Sequence, residues 1–296
     1  MKKFLALCAA SLILLSSFAL AQDAQGQKGK PEPPYLGVHW ARGVRPSQNA
    51  PTSPDMTWHG GAIMPTAVTA SIFWGTSWTT TNYKVTGMDS WYNGVGGSTY
   101  AATCDEYTGT NGQVTSTISY GGHFVDTTAA PSRAPKTSAI LAEVCQVIPK
   151  PVSNGYYAVY VDTPRGHAGY CAWHSYGTCG GTPVQFAFFF NLDNDPGCDP
   201  QDTATGHPQG LSALANVSGH ELSEARTDPR GAGWFDSSGA ENGDKCAWTF
   251  GSRDLTFNNG SVWKIQGNWS NRAFNSSTGY PNSSGQDGCI DGGNFK

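Results

Sequence analysis

The segment GHELSEARTD, residues 219–228, contains residue types that bind metal ions and transfer protons. His220 and Glu224 are four residues apart, so on a helix their side chains project from one face, a turn apart. Glu221 points about 100° away around such a helix, as the general base does in hydrolases with an H-E-x-x-H helix. The segment therefore predicts a metal-binding helix with Glu221 as catalytic base and a glutamate in place of the second histidine.

The predicted ion is Zn2+, because zinc accepts imidazole and also binds carboxylate oxygens at about 2.0–2.2 Å. The glutamate ligand makes the site harder, so Ca2+ or Mn2+ is the alternative ion. The alternative without a metal is that His220 and Glu224 form a polar pair on a solvated helix face. Gly219 favours the metal site, because a glycine in mid-helix costs about 1 kcal/mol relative to alanine and indicates close approach by another group.

A third ligand is predicted from the acidic loop DPRGAGWFDSSGAENGDKCAW, residues 228–248, which follows the helix. Glu241 and Asp244 are the candidates, because a zinc hydrolase of the His/Glu type needs a further carboxylate from beyond its helix. The alternative is that these acids cap turns, as aspartate often does beside glycine. The sequence leaves both interpretations open.

Composition and targeting signals limit the function classes. A net charge of −4 with 14% charged residues leaves no basic stripe for nucleic acid. Residues 1–21 combine Lys2-Lys3, a short apolar core and a small-residue cleavage site, which predict a signal peptide cleaved near Ala21. No later segment approaches the roughly 18 continuous apolar residues of a membrane helix. The mature protein is therefore expected to be secreted, into the extracellular space or the periplasm, without a membrane span.

The mature chain is predicted to have two parts. Residues 22–57 are rich in Pro, Gln and Gly without periodicity, which is typical of an extended arm or a removable pro-segment. Residues 58–296 are predicted to form a single α/β domain: a layered mixed sheet with flanking helices, stabilised by disulfides, with a loop-rich C-terminal part. Helices are predicted at 82–93, 138–147 and 211–226. Strands are predicted at 66–74, 113–125, 156–162 and 184–193, and the second of them is expected to break at Gly121-Gly122.

Cysteine usage supports an oxidising compartment. Seven cysteines follow the signal peptide, and their spacings lack the paired C-x-x-C knuckles of a structural zinc site. They are therefore predicted to form disulfides, with one thiol that is either free and buried or paired between chains. The seven are Cys104, Cys145, Cys171, Cys179, Cys198, Cys246 and Cys289.

Several segments together resemble the Exordium-like (phosphate-induced) family of secreted proteins. They are WHGGAIMPTAVTASIFWGTSW at 58–78, GYCAWHSYG at 169–177, GHELSEARTDPRGAGWFDSSGAENGDKCAW at 219–248 and VWKIQGNWSN at 262–271. The resemblance implies a secreted α/β domain, and plant members of the family are cell-wall or apoplastic proteins associated with growth. It also makes His59, His123 and His174 secondary site candidates, two of which lie in the matching segments.

Two functions follow from these patterns. The first is a secreted metal-dependent hydrolase of zincin type, a zinc metallopeptidase that acts on a peptide or protein substrate. The alternative is a non-enzymatic extracellular protein associated with cell-wall polysaccharide, in which the metal is structural and some of the ten tryptophans form a sugar-stacking platform.

Two further patterns are interpreted as non-catalytic. The segment DNDPGCD contains Asp193, Asp195 and Asp199, which resemble the start of a calcium loop. It lacks the twelfth-position glutamate of that loop, so a turn is predicted. Serine nucleophilic chemistry is disfavoured because the chain has no G-x-S-x-G elbow.

Overall fold

The computed structural model describes residues 32–44 and 53–293, and the compact unit of the chain begins at Pro33. The predicted signal peptide, residues 1–21, lies outside the described residues, as do residues 22–31 and 45–52 of the predicted arm. Within the described ranges, no helix combines the length and the apolar character needed to cross a bilayer.

Strands and helices alternate through the first two thirds of the domain, and short strands dominate the remainder. The strands are β1 Leu36–Trp40, β2 Thr57–Trp58, β3 Ala67–Trp74, β4 Thr108–Gly109, β5 Gly112–Gln113, β6 Ile118–Asp126, β7 Gly155–Pro164, β8 Tyr170–Cys179, β9 Thr182–Asn191, β10 Trp234–Phe235, β11 Leu255–Thr256, β12 Val262–Trp263, β13 Asn268–Trp269, β14 Tyr280–Pro281 and β15 Asp287–Ile290. The helices are α1 Tyr83–Val95, α2 Thr137–Val147, α3 Gln209–Thr227, α4 Asn242–Lys245 and α5 Asn271–Ser276, with a 3-10 turn at Ala101–Cys104.

Six strands form the main sheet in the order β1-β8-β9-β7-β3-β6. Strands β9, β7, β3 and β6 are parallel to one another, whereas β8 is antiparallel to both of its neighbours, β9 and β1. The central strands β7 and β9 carry continuous apolar runs because the side chains on both of their faces are buried. The predicted α/β class and mixed sheet are confirmed.

Helix α3, which carries the predicted metal ligands, is buried on every side from Gly210 to Thr227. It contacts β1, β8 and β9 of the sheet, and also α1 and α4. A buried hydroxyl chain ties it to the sheet: Ser218 Oγ lies 2.7 Å from Tyr160 Oη, which lies 2.9 Å from Tyr92 Oη. The alternative of a solvated helix face is therefore wrong.

Gly219 has a packing role in this helix. A Cβ atom at this position would lie 2.7 Å from the hydroxyl of Tyr100 and 2.8 Å from Cγ2 of Ile265. The expected close approach is therefore present, but these two side chains make it.

Three disulfides link elements of the fold, as the cysteine spacing predicts. Cys145 pairs with Cys179, Cys171 with Cys198, and Cys246 with Cys289. Cys104 is the remaining thiol and is free and buried, which selects one of the two alternatives left open by the sequence.

Two strands of the main sheet are missing from the sequence-based assignment. Residues 36–40, inside the predicted arm, form β1, and residues 170–179 form β8. Strand β6 continues through Gly121 and Gly122, where the sequence predicts a break. The glycines instead coincide with an irregularity in its pairing with β3.

Candidate metal centre

The i, i+4 pair of α3 lies in the interior of the protein. His220, Glu221 and Glu224 have no exposed surface. Because one helical turn separates them, His220 Nε2 lies 3.1 Å from Glu224 Oε1. Glu224 reaches His174 on strand β8, and His220 faces Asp244 on the loop that carries α4.

Strand β8 adds a second histidine to this cluster. His174 lies in the middle of the strand, opposite Leu36 of β1, and its side chain is fully buried. Its Nε2 atom lies 3.8 Å from Glu224 Oε2 and 3.3 Å from Glu241 Oε2. His174 was a secondary candidate in the sequence, and the structure places it with the principal ones.

The short helix α4 supplies both predicted acids. Glu241 is its N-cap residue and Asp244 its third residue, and together they form a capping box. The capping role expected as the alternative is therefore present. The same residues also reach the cluster: the backbone N–H of Asp244 donates to Glu224 Oε1 at 2.8 Å, and Asp244 Oδ1 lies 4.0 Å from His220 Nε2.

These side chains form two overlapping sets that could hold an ion, and Glu224 belongs to both. One set is His174, Glu221 and Glu224, and the other is His220, Glu224 and Asp244; within each, the ligand atoms lie within 4.8 Å of one another. When two ligand atoms each lie about 2.0–2.1 Å from a tetrahedral ion, they lie about 3.3 Å from each other. The distances from His174 to Glu241, 3.3 Å, and from His220 to Glu224, 3.1 Å, are close to this value, so these pairs fit a small divalent cation.

The cluster also contains buried polar atoms that need a partner. Both ring nitrogens of His174 and Oε2 of Glu241 make no hydrogen bond among the described residues. No lysine or arginine in the described ranges forms an ion pair with Glu221 or Glu241. A buried polar atom without a hydrogen bond costs about 1–3 kcal/mol, and a cation bound among these atoms would remove much of that penalty.

Burial and like charges shift the protonation equilibria of the cluster. Burial first, and then the charge of Glu224, raises the pKa of Glu221 well above its usual value. Burial and Glu224 raise the pKa of Glu241 in the same way. Burial, with a smaller effect from His220, lowers the pKa of His174 to about 3. The imidazole of His174 is therefore neutral at neutral pH, the form in which histidine binds metals.

Gln266 and His39 surround His220 and were not predicted from the sequence. The side-chain oxygen of Gln266 accepts from Trp248 N at 3.2 Å and contacts His39 Nε2 at 2.9 Å. Its nitrogen donates to Gly243 O at 2.9 Å and lies 3.0 Å from His220 Nδ1. No motif identifies these two residues, because each reaches the site from a segment without helical or strand periodicity of its own.

The other histidine candidates lie outside the cluster. His59 is exposed and stacks on Phe235 at a centroid distance of 3.5 Å. His123 is half-buried on β6 and lies 2.8 Å from Asp89 Oδ2. Neither belongs to a group that could hold a metal among the described residues.

The remaining sequence candidates have structural roles. Asp193 pairs with Lys84 at 2.6 Å and Asp195 with Arg165 at 2.6 Å, so the two carboxylates point to different cations rather than to one ion. Five of the ten tryptophans are buried and four are half-buried, and Trp58, at 44% exposure, is the exposed one.

Comparison with known proteins adds no identification. No protein-family model matches this chain, and no match is found among curated proteins or solved structures. The Exordium-like resemblance therefore stays a prediction, and the chemistry of the cluster is the basis for a functional proposal.

Proposed function

We infer that this chain is a secreted metal-dependent hydrolase, a zinc peptidase of zincin type whose active helix is α3. Two overlapping buried donor sets that share Glu224, with Glu241 3.3 Å from His174, support this inference most strongly. Each set combines one imidazole with two carboxylates, and an imidazole ligand suits Zn2+ better than Ca2+, which prefers six to eight oxygen ligands. Asp244, next to His220, completes the acidic side of the site.

A bound Zn2+ supplies positive charge that polarises a substrate carbonyl and makes water more acidic. We assign the proton transfer to Glu221. One of its carboxyl oxygens lies within 4.8 Å of the ligand atoms of His174 and Glu224.

In peptide hydrolysis Glu221 accepts a proton from the attacking water while the water oxygen bonds to the carbonyl carbon. It then passes that proton to the departing amine nitrogen as the carbon–nitrogen bond breaks. Burial first, and then the charge of Glu224, raises the pKa of Glu221, which favours the protonated form that delivers the proton to the amine.

One observation favours a second candidate, a structural ion in a non-enzymatic extracellular protein. His174, His220, Glu221 and Glu224 have no exposed surface. A substrate therefore cannot reach the cluster in the conformation described. Hydrolysis requires a part of the structure to move, whereas a structural ion does not.

The first test measures zinc per chain in the signal-cleaved protein and in three variants. We expect one Zn2+ per chain in the wild type and in Glu221→Gln, and almost none in Glu224→Ala. Glu143→Gln, which alters a buried glutamate of α2 outside the cluster, serves as the control and should retain the ion. Absence of stoichiometric zinc from the wild type would contradict both candidates.

The second test compares cleavage of a fluorogenic peptide library by the zinc-loaded wild type and Glu221→Gln. The hydrolase proposal expects turnover to fall at least about 1,000-fold in the variant, because general base catalysis contributes about 100- to 10,000-fold. Equal turnover in the two proteins would contradict Glu221 as the base, and no turnover in a protein whose cluster has been made accessible would favour the structural ion.

A further inference from the structure

Strand β1 separates the candidate metal centre from solvent. It pairs with β8, the antiparallel strand that carries His174, and Leu36 lies opposite that histidine. The strand is the last in the sheet on this side. Without β1, β8 would be the edge strand of the sheet, with its backbone unpaired on the side next to His174.

The closest contact between β1 and the cluster is made by Gly37. A Cβ atom at this position would lie 1.9 Å from Glu224 Oε2 and 2.6 Å from His174 Nε2. The backbone N–H of Gly37 donates to Glu241 Oε1 at 3.2 Å. The main chain of β1 therefore lies directly against three of the proposed ligands, in a space that no side chain could share.

The backbone of β1 departs from a regular strand at this point. The register between β1 and β8 shifts between Leu36 and Val38, so Gly37 is an extra residue in the ladder. Its φ of +31° is a conformation that favours glycine. The bulge brings a peptide unit, rather than a side chain, next to Glu224.

Flanking contacts hold the segment in register. Tyr35 packs edge-on against Trp173 at a centroid distance of 5.1 Å, and the Trp248 indole donates to Trp40 O at 2.9 Å. Arg42 donates to Asp199 O at 2.9 Å. All of these are non-covalent, and residues 22–57 contain no cysteine.

We propose that β1 occupies the place of an extended peptide substrate, which would bind as a strand along β8 with a peptide bond beside Glu224. The proposal rests on the proposed function and names the substrate class and the regulation of that site. Addition of a strand to a sheet edge is a common mode of peptide recognition, with affinity from main-chain hydrogen bonds. The protein is thus latent while β1 is bound, and displacement of residues 33–44 opens the site.

The experiment makes β1 removable in the folded protein. A recognition sequence for a site-specific protease is inserted between Val44 and Ser53, and the purified chain is cut after folding. A control chain carries the same insertion at the exposed turn Ser283-Ser284, which the Cys246–Cys289 disulfide holds in place after cutting. Each cut protein is incubated with excess fluorescent peptide of residues 33–44.

We expect the peptide to replace the resident fragment in the first protein and not in the control. A Gly37→Val peptide should bind at least ten-fold more weakly, because its side chain would overlap Glu224. Transfer of zinc to a chelator should also be at least ten-fold faster after the cut near Val44. Added wild-type peptide should slow this transfer again.

Equal binding of the wild-type and Gly37→Val peptides, or no exchange of the resident fragment, would overturn the proposal. Peptide binding is measured without reference to turnover, so it separates this proposal from the hydrolase. Selective binding without hydrolysis would support the strand site and contradict the peptidase. Hydrolysis that appears in the cut protein and is lost with Glu221→Gln would support both.

Discussion

The side-chain nitrogen of Gln266 lies 3.0 Å from His220 Nδ1 and donates to Gly243 O at 2.9 Å. The amide cannot turn over, because its oxygen accepts from the backbone N–H of Trp248. His220 Nδ1 is therefore an acceptor, and the neutral ring carries its proton on Nε2, 3.1 Å from Glu224 Oε1. A metal bound through Nε2 requires the proton to move to Nδ1, where a carboxylate would stabilise it better than an amide nitrogen.

Replacing Gln266 with glutamate should therefore strengthen zinc binding. The carboxylate can accept from Nδ1–H, which fixes the tautomer that binds through Nε2, and we expect about ten-fold higher affinity. Affinity is measured by competition with a chelator at pH 7.5. Gln185→Glu, which adds a buried acid on β9 away from His220, controls for the added charge. Unchanged affinity in Gln266→Glu would show that the tautomer of His220 does not limit binding.

His174 should prove to be a ligand, although its neighbours in sequence contain no metal motif. We expect His174→Gln to lower zinc affinity by more than about 100-fold, more than the loss of a residue that only orients a ligand. His123→Gln is the matched control, because that ring lies on β6, at the opposite edge of the sheet, and pairs with Asp89 of α1. Zinc affinity that survives His174→Gln would restrict the ion to the set of His220, Glu224 and Asp244.

The sequence predicts those contacts of the site that join residues close together in the chain, and it does not predict those that join distant segments. His220, Glu221 and Glu224 share one helix, so spacing alone predicts which side chains meet. His174 joins them through the pairing of β8 with β9, and β8 has polar and aromatic side chains that hide its strand character. Periodicity therefore identified half of the cluster and left its other histidine among secondary candidates.

Strand β1 shows a second limit of the same kind. The segment LGVHW is too short for a clear period-two pattern and follows several prolines, so composition favours an arm. Its conformation comes from pairing with the free edge of β8, a partner distant in sequence. Gln266 and His39 likewise acquire their positions from tertiary contacts, which local propensity does not encode.

The Cys246–Cys289 disulfide should support metal binding as well as stability. Cys246 follows α4 directly, and α4 carries Glu241 and Asp244. Replacing both cysteines with serine should lower the free energy of unfolding by about 2–4 kcal/mol and weaken zinc affinity. The same change at Cys145 and Cys179, which joins α2 to the end of β8, should lower stability while affinity stays within two-fold. Chemical denaturation and chelator competition measure the two effects, and equal affinity losses in both variants would contradict a specific role for α4.

Glu143 should make the stability of the fold depend on pH. Burial, and then the negative charge of Asp126, raises the pKa of this carboxyl to about 7. Because the folded-state pKa lies above the unfolded one, the stabilisation is fully present below about pH 4.5 and is lost as the pH rises through about 7.

Glu143→Gln keeps a neutral group at all pH values, so it should be more stable than the wild type at pH 8, by an amount on the order of 1–2 kcal/mol after allowance for solvent screening. The difference should shrink as the pH falls and vanish below about pH 4.5, as measured by urea denaturation at constant ionic strength. Asp126→Asn removes the neighbouring charge and should shift the wild-type transition to lower pH. A stability difference that stays constant from pH 5 to pH 8 would show that Glu143 does not titrate in this range.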